Sequence, residues 1–190
     1  MNLRHGEILC IQGAPGVRKT TTGLLILRAA LAGSTFAGLT VDKHKRAAAI
    51  TTATPAYAKT CFGGSFPDGF LLKPFEHAFT SVDNLELYLT NVHVDFVMLD
   101  NADSIVGQEN LRNMLRSYGI TAVLLYHNYA EGDHNLRLSF DYAQQPPLIG
   151  EQQSIRWTWK RRGYDPTYLV RYTWAHRQVV AEMETPNEHV

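Results

Sequence analysis

Cysteine is scarce in this 190-residue chain: Cys10 and Cys61 are the whole complement. Two thiols alone cannot make a tetrahedral metal site. Cys10 falls inside an apolar run, where a thiol acts as a small core residue. So few cysteines fit a cytosolic, reducing compartment, or a host cytoplasm if the source is viral. Excess charge is also lacking, since 18 Lys and Arg balance 18 Asp and Glu. Bulk electrostatics therefore draws the chain to neither nucleic acid nor membrane, though a local basic patch stays open. No apolar run reaches the roughly 20 residues that a membrane span needs, so no membrane partner is expected. Residues 1–6 form a short polar lead-in without the pattern of a signal peptide. The sequence shows no repeat and no low-complexity tract. Its eight histidines lack metal-site spacing, and no Ser/His/Asp or Cys/His nucleophile arrangement can be read.

What remains is an ordinary globular composition, 45% apolar, long enough for a real core. Residues 1–183 are expected to form one domain, and residues 184–190 a loose charged tail.

The chain is organised around residues 7–33. EILCIQG is short and apolar, suited to a buried parallel strand. TTGLLILRAALAG has the pattern of a helix closed by Gly33. Between them, Gly13, Ala14, Pro15, Gly16, Val17 and Arg18 lead to Lys19, Thr20 and Thr21. Strand, glycine turn with Lys-Thr, then helix is the context of a phosphate-binding P-loop. A loop wrapped around phosphate aims backbone N–H groups inward, and the helix adds its unpaired N–H groups and positive dipole end. In this reading Lys19 neutralises the β and γ phosphates, and Thr20 holds Mg²⁺. The motif asks for glycine just before the lysine, and Arg18 stands there. A φ above zero costs a non-glycine residue about 1–2 kcal/mol. The arginine side chain either turns outward or adds a permanent charge near the phosphates.

Further on, residues 36–42 read as a strand ending in Asp42. Residues 43–60 are Ala- and Thr-rich, helical at first, with Pro55 breaking the pattern. Residues 63–69 form a loop and 69–75 a short strand. Ser81 caps a helix to about Asn91, burying Val82, Leu85 and Leu89, with Leu87 a further candidate. Residues 94–100 form an apolar strand ending in Asp100. A helix spans 108–118, and a strand over 120–126 ends at His127 and Asn128. Alternation of strand and helix argues a parallel sheet with helices on both faces. Residues 136–143, 154–161 and 167–180 alternate, with Trp157 and Trp159 on one face and Arg156, Thr158 and Lys160 on the other. They read as antiparallel strands extending that sheet, separated by a proline-containing loop over 144–153.

Asp100, at the carboxyl end of its strand, is positioned to complete the Mg²⁺ site. Hydrolysis needs a further base. No glutamate follows Asp100, so Asp42 is the first candidate, ahead of Glu76 and Asp103. His127 and Asn128 are placed to sense the γ-phosphate. Lys160, Arg161 and Arg162 beside two tryptophans suit either a solvated hairpin tip or a grip on a nucleic-acid backbone.

These parts, in this order, resemble the RecA-like ATPase core. GAPGVRKTT resembles that family's first nucleotide motif and VDFVMLDNADSI its second. FAGLTVDKHK stands where the family has a strand ending in its catalytic acid. ITAVLLYHN is similar to the strand ending in a polar sensor, and IRWTWKRRGYDPTYLVRYTWAHR to the C-terminal strands. The resemblance implies a RecA-like three-layer α/β sandwich, its mainly parallel sheet extended by antiparallel strands. It implies a homo-oligomer with ATP and Mg²⁺ between subunits, acting on nucleic acid, DNA ahead of RNA. It further implies that Arg177 reaches a neighbour's nucleotide as an arginine finger. Lys19, Asp42, Asp100 and Arg177 are then the catalytic set. Two other functions remain open: a nucleotide-binding module that hydrolyses little and sets assembly state, and a small-molecule kinase using the KRRG segment as a lid.

Overall fold

The computed structural model describes residues 1–128, 132–140, 152–160, 165–175 and 178–183. In chain order the elements are β1 (Asn2–Leu3), β2 (Ile8–Gln12), α1 (Lys19–Ala32), β3 (Thr35–Phe36), β4 (Leu39–Val41) and β5 (Ala47–Thr51). There follow α2 (Pro55–Cys61), β6 (Phe70–Pro74), α3 (Val82–Val92), β7 (Phe96–Leu99), α4 (Gln108–Ser117) and β8 (Thr121–Tyr126). Last come β9 (His134–Phe140), β10 (Gln152–Lys160), β11 (Thr167–Ala175) and β12 (Gln178–Met183).

A nine-stranded sheet runs β12-β11-β10-β9-β2-β8-β7-β5-β6. From β9 to β6 every neighbouring pair is parallel, and from β9 to β12 every pair is antiparallel. The chain is thus α/β with a large mixed sheet. Apolar residues along the parallel strands divide between its faces, as the two-residue period requires. Leu9, Ile11, Phe96 and Met98 join one apolar cluster with α1 and α2. Ile8, Cys10, Val97 and Leu99 join a second with α3 and α4. Both faces are covered, which is why these strands carry apolar residues at every position. Cys10 and Cys61 are buried and free, and burial pushes both thiols up to about 12, so they are packing residues. Among the described residues no helix is long and apolar enough to cross a membrane.

α1 lies close on the sheet because Gly23 faces β7: a Cβ there would come within 2.6 Å of Met98 Sδ. Gly33 ends the helix at φ 64°, and the next N–H, of Ser34, donates to Ala29 O. The antiparallel strands pack on this same layer. Ile155, Trp157, Trp159, Val170, Tyr172 and Val179 are buried against the α1 side. Thr22 of α1 shares its hydroxyl with Tyr172 Oη at 2.6 Å, and Trp157 Nε1 donates to the same oxygen at 3.1 Å.

Five expectations change. Residues 36–42 do not enter the main sheet. Ala37 (φ 44°) and Gly38 (φ 76°) turn the chain into a hairpin, and β4 pairs with β1 in a separate three-stranded sheet. The helix expected at the start of 43–60 is instead β5, a buried strand between β7 and β6. Its alanines suit a site with apolar layers pressed on both sides: Ala47 and Ala49 face one cluster, Ala48 and Ile50 the other. Pro55 opens a helix rather than breaking one. Thr54 caps α2 by accepting from Tyr57 N–H, and proline is free of penalty at the first turn. Finally, β9 is the last parallel strand, paired with β2 on one side and antiparallel β10 on the other. Within α3, Leu85 and Leu89 are buried and Val82 packs half-buried beside them, whereas Leu87 is 62% exposed.

Candidate functional site

The turn after β2 meets the start of α1 at the carboxyl end of the parallel strands. Gly13 is obligatory, because a Cβ would lie 2.6 Å from Leu138 O and 2.7 Å from Val17 Cγ2. Gly16 adopts φ 85°. Arg18 also takes a left-handed conformation, φ 64° and ψ 27°, as the residue capping α1. This costs about 1–2 kcal/mol that glycine would not incur. Its guanidinium lies beside the C-terminal strands and close to Tyr57 of the cleft wall: Nε donates to Gln153 Oε1 at 2.5 Å, and Cζ lies 4.4 Å from the centre of the Trp174 ring.

Lys19 is buried, 7% exposed, and folds back on its own loop. Its ammonium donates to Gly13 O (2.6 Å) and Ala14 O (3.0 Å), and His127 Nδ1 accepts at 3.2 Å. Burial lowers the lysine pKa, while the carboxylates of Asp100 and Asp103 act in the opposite sense.

Across from it, Asp100 is 5% exposed at the end of β7. Its Oδ2 accepts from the hydroxyls of Thr20 (3.1 Å), Thr51 (2.9 Å) and Thr52 (3.4 Å), and its Oδ1 from Asn101 N–H (3.1 Å). Asp103 accepts from the backbone N–H of His127 (2.6 Å) and of Asn128 (3.3 Å), fixing the end of β8. A cleft of about 470 Å³ joins these groups, lined by Pro15, Gly16, Arg18–Thr21, Thr52, Ala53, Tyr57, Asp100, Asn101 and His127.

The residues read from sequence therefore separate. Lys19, Thr20, Thr21, Asp100 and His127 come together. Asn128 sits beside His127 without lining the cleft. Asp42 stands elsewhere: it ends β4 of the small sheet, its Oδ2 accepts from His5 N–H at 3.3 Å, and it has no place in the cleft. The assignment of Asp42 as a base at a central strand end fails for that topological reason. Glu76 is likewise remote, exposed and paired with Lys73 at 2.7 Å. Arg177, Arg161 and Arg162 lie outside the described residues.

Sequence reading missed the cleft's far wall, formed by Thr52, Ala53 and Tyr57, with Thr51 buried behind it. Thr51 and Thr52 hold Asp100, and Tyr57 Oη meets Thr21 Oγ1 at 2.5 Å. Burial raises the Tyr57 pKa, so its hydroxyl stays protonated. The signal was present in Thr54-Pro55, a helix start that leaves the preceding AAAIT free to be a strand.

Chemically, the arrangement offers an anion cradle with a buried cation, and a hydroxyl and carboxylate 3.1 Å apart. Among the described residues no cluster of three or more His, Cys, Asp or Glu stands ready to enclose a metal ion. A cation here would therefore rest mainly on Thr20, Asp100 and a bound anion's own oxygens. No protein-family model matches this chain, and no curated protein matches it.

Proposed function

We propose that this chain binds ATP with Mg²⁺ in the cleft as a P-loop ATPase built on a RecA-like core. The observation that carries the reading is the Thr20–Asp100 contact at 3.1 Å beside the buried Lys19. A loop motif and a strand-end acid some 80 residues apart converge on one spot, as Mg-nucleotide binding requires. Sheet order supports the same reading: β8 stands between the loop-bearing β2 and the Asp100-bearing β7, with β5 beyond and β9 on the other side. A mostly parallel sheet extended by antiparallel strands is compatible with the family that the motifs resemble.

Within this reading, the loop N–H groups and Lys19 cradle the β and γ phosphates. Thr20 and Asp100 hold Mg²⁺, which supplies charge neutralisation at the phosphate oxygens. His127 reports on the γ-phosphate. The resemblance extends the proposal to a homo-oligomer acting on nucleic acid, DNA ahead of RNA. Titrating the protein with Mg-ATP by calorimetry, with Asp100→Asn alongside, tests the core of it. Saturable binding that loses its Mg²⁺ dependence in the variant is expected; no binding by the parent protein refutes it. Native mass and ATPase rate, measured with and without single-stranded DNA, test the assembly.

A second reading has its own observation. Asp100 is the one carboxylate among the cleft's described lining residues, and three threonine hydroxyls already engage it. With no free carboxylate among those described residues, the protein would bind nucleotide and turn it over slowly, using occupancy to set assembly.

A further inference from the structure

Arg18 is a residue that the phosphate loop does not need, in a conformation that does not favour it. It also borders both the cleft and the C-terminal strands. Its guanidinium rests on the C-terminal strands, over Trp174 of β11 and against Gln153 of β10. Yet Arg18 lines the cleft together with Lys19 and Thr20. The rest position is supported from beneath. The Arg18 carbonyl accepts from both the N–H and the hydroxyl of Thr22, each at 2.8 Å, and the same hydroxyl meets Tyr172 of β11. One residue thus joins the loop to two adjacent antiparallel strands.

These contacts differ in strength from what a polyphosphate offers. A partly exposed cation over an indole is a modest attraction. A guanidinium on phosphate oxygens forms charge-assisted, often paired, hydrogen bonds. We infer that Arg18 is a polyphosphate-responsive arm: it lies on Trp174 when the cleft is free and swings onto the anion when a triphosphate enters, so that cleft occupancy releases the β10–β11 ribbon from the loop. The inference rests on the cleft binding nucleotide, and it adds a route from that site to the strands that close the α1 layer.

Indole emission reads the arm directly. The other two tryptophans, Trp157 and Trp159, are buried and pack edge to face on each other, 6.2 Å between ring centres. The probes are inorganic tripolyphosphate and Mg-ATP, with binding followed independently by calorimetry. The full chain is expected to show a saturable emission change that tracks calorimetric occupancy. Trp174→Phe should abolish that change while still binding. Arg18→Gly should also bind, without the emission change. Trp174→Leu, by removing the indole from the rest position, should tighten tripolyphosphate binding by about two- to five-fold, the affinity equivalent of an exposed cation–π contact. The same substitution in the Arg18→Gly background should leave affinity unaltered. Binding with no Trp174 signal, or an equal signal in Arg18→Gly, overturns the arm while leaving the cleft intact. Absence of calorimetric binding in the parent protein overturns both.

Discussion

Replacing Lys19 by methionine keeps the buried stem and removes only the charge. In the free protein the ammonium's three hydrogens are all committed, to Gly13 O, Ala14 O and His127 Nδ1. Phosphate binding therefore exchanges acceptors rather than creating bonds from nothing. Exchanging a carbonyl for a phosphate oxygen gains roughly 1–1.5 kcal/mol per bond, so two exchanges give about 2–3 kcal/mol, or ~30–150-fold in Kd. Stability should move little. The variant loses donors to carbonyls that water can reach, and it also sheds a desolvated charge, leaving a net change of about 1 kcal/mol in either direction. Displacement of a fluorescent ATP analogue measures the first quantity and thermal unfolding the second. A Kd within two-fold of the parent, at unchanged Tm, would refute the placement of the phosphates at Lys19.

Other perturbations address the surrounding parts. Gly13→Ala drives a Cβ to 2.6 Å from Leu138 O, a backbone atom that cannot step aside; loss of nucleotide binding with a lowered Tm is expected, and parent-like behaviour in both would contradict the close approach. Thr52→Glu sets a carboxylate at the cleft mouth, and a faster ATPase rate is expected if turnover waits on a base; an unchanged rate speaks against that limit. Tyr172→Phe leaves Trp157 Nε1 buried without its acceptor, costing about 1–3 kcal/mol, read as a drop of several degrees in Tm. His44 is 1% exposed, with neither ring nitrogen hydrogen-bonded. Burial first, then neighbouring His5, holds its pKa below 6.5, against weaker pulls from Asp95 and Asp42. The unfolded chain then takes up the proton more readily, so stability is full above pH 6.5 and declines as pH falls below it. His44→Phe should flatten that decline in urea titrations across pH 5–7, and an identical slope in the variant would exclude His44 as its source.

Much of the cleft could be read from the chain before the fold was known, because its loop is one continuous stretch of sequence. Gly13 to Thr20 lie in one turn, and the run ending in Asp100 announces a buried strand by composition alone. The far wall was hidden for a physical reason. Alanine at positions 47–49 is the strongest helix former, and only the pressure of helices on both faces makes it a strand residue. A strand misread there displaced the search for an acid to Asp42, whose segment Ala37 and Gly38 turn into a hairpin. Sheet direction at β9 was equally beyond local pattern, since alternation is the same in parallel and antiparallel strands. Arg18 left its destination undecided between cleft and surface, because the deciding aromatic, Trp174, lies far along the chain.

The bond between Thr22 and Tyr172 joins residues 150 positions apart. During synthesis residues 13–32 emerge well before β10 and β11, which cover their helix. A nascent chain would hold that loop and helix uncovered until β11 leaves the ribosome, so the α1 layer closes only after a long stretch of later sequence has been made.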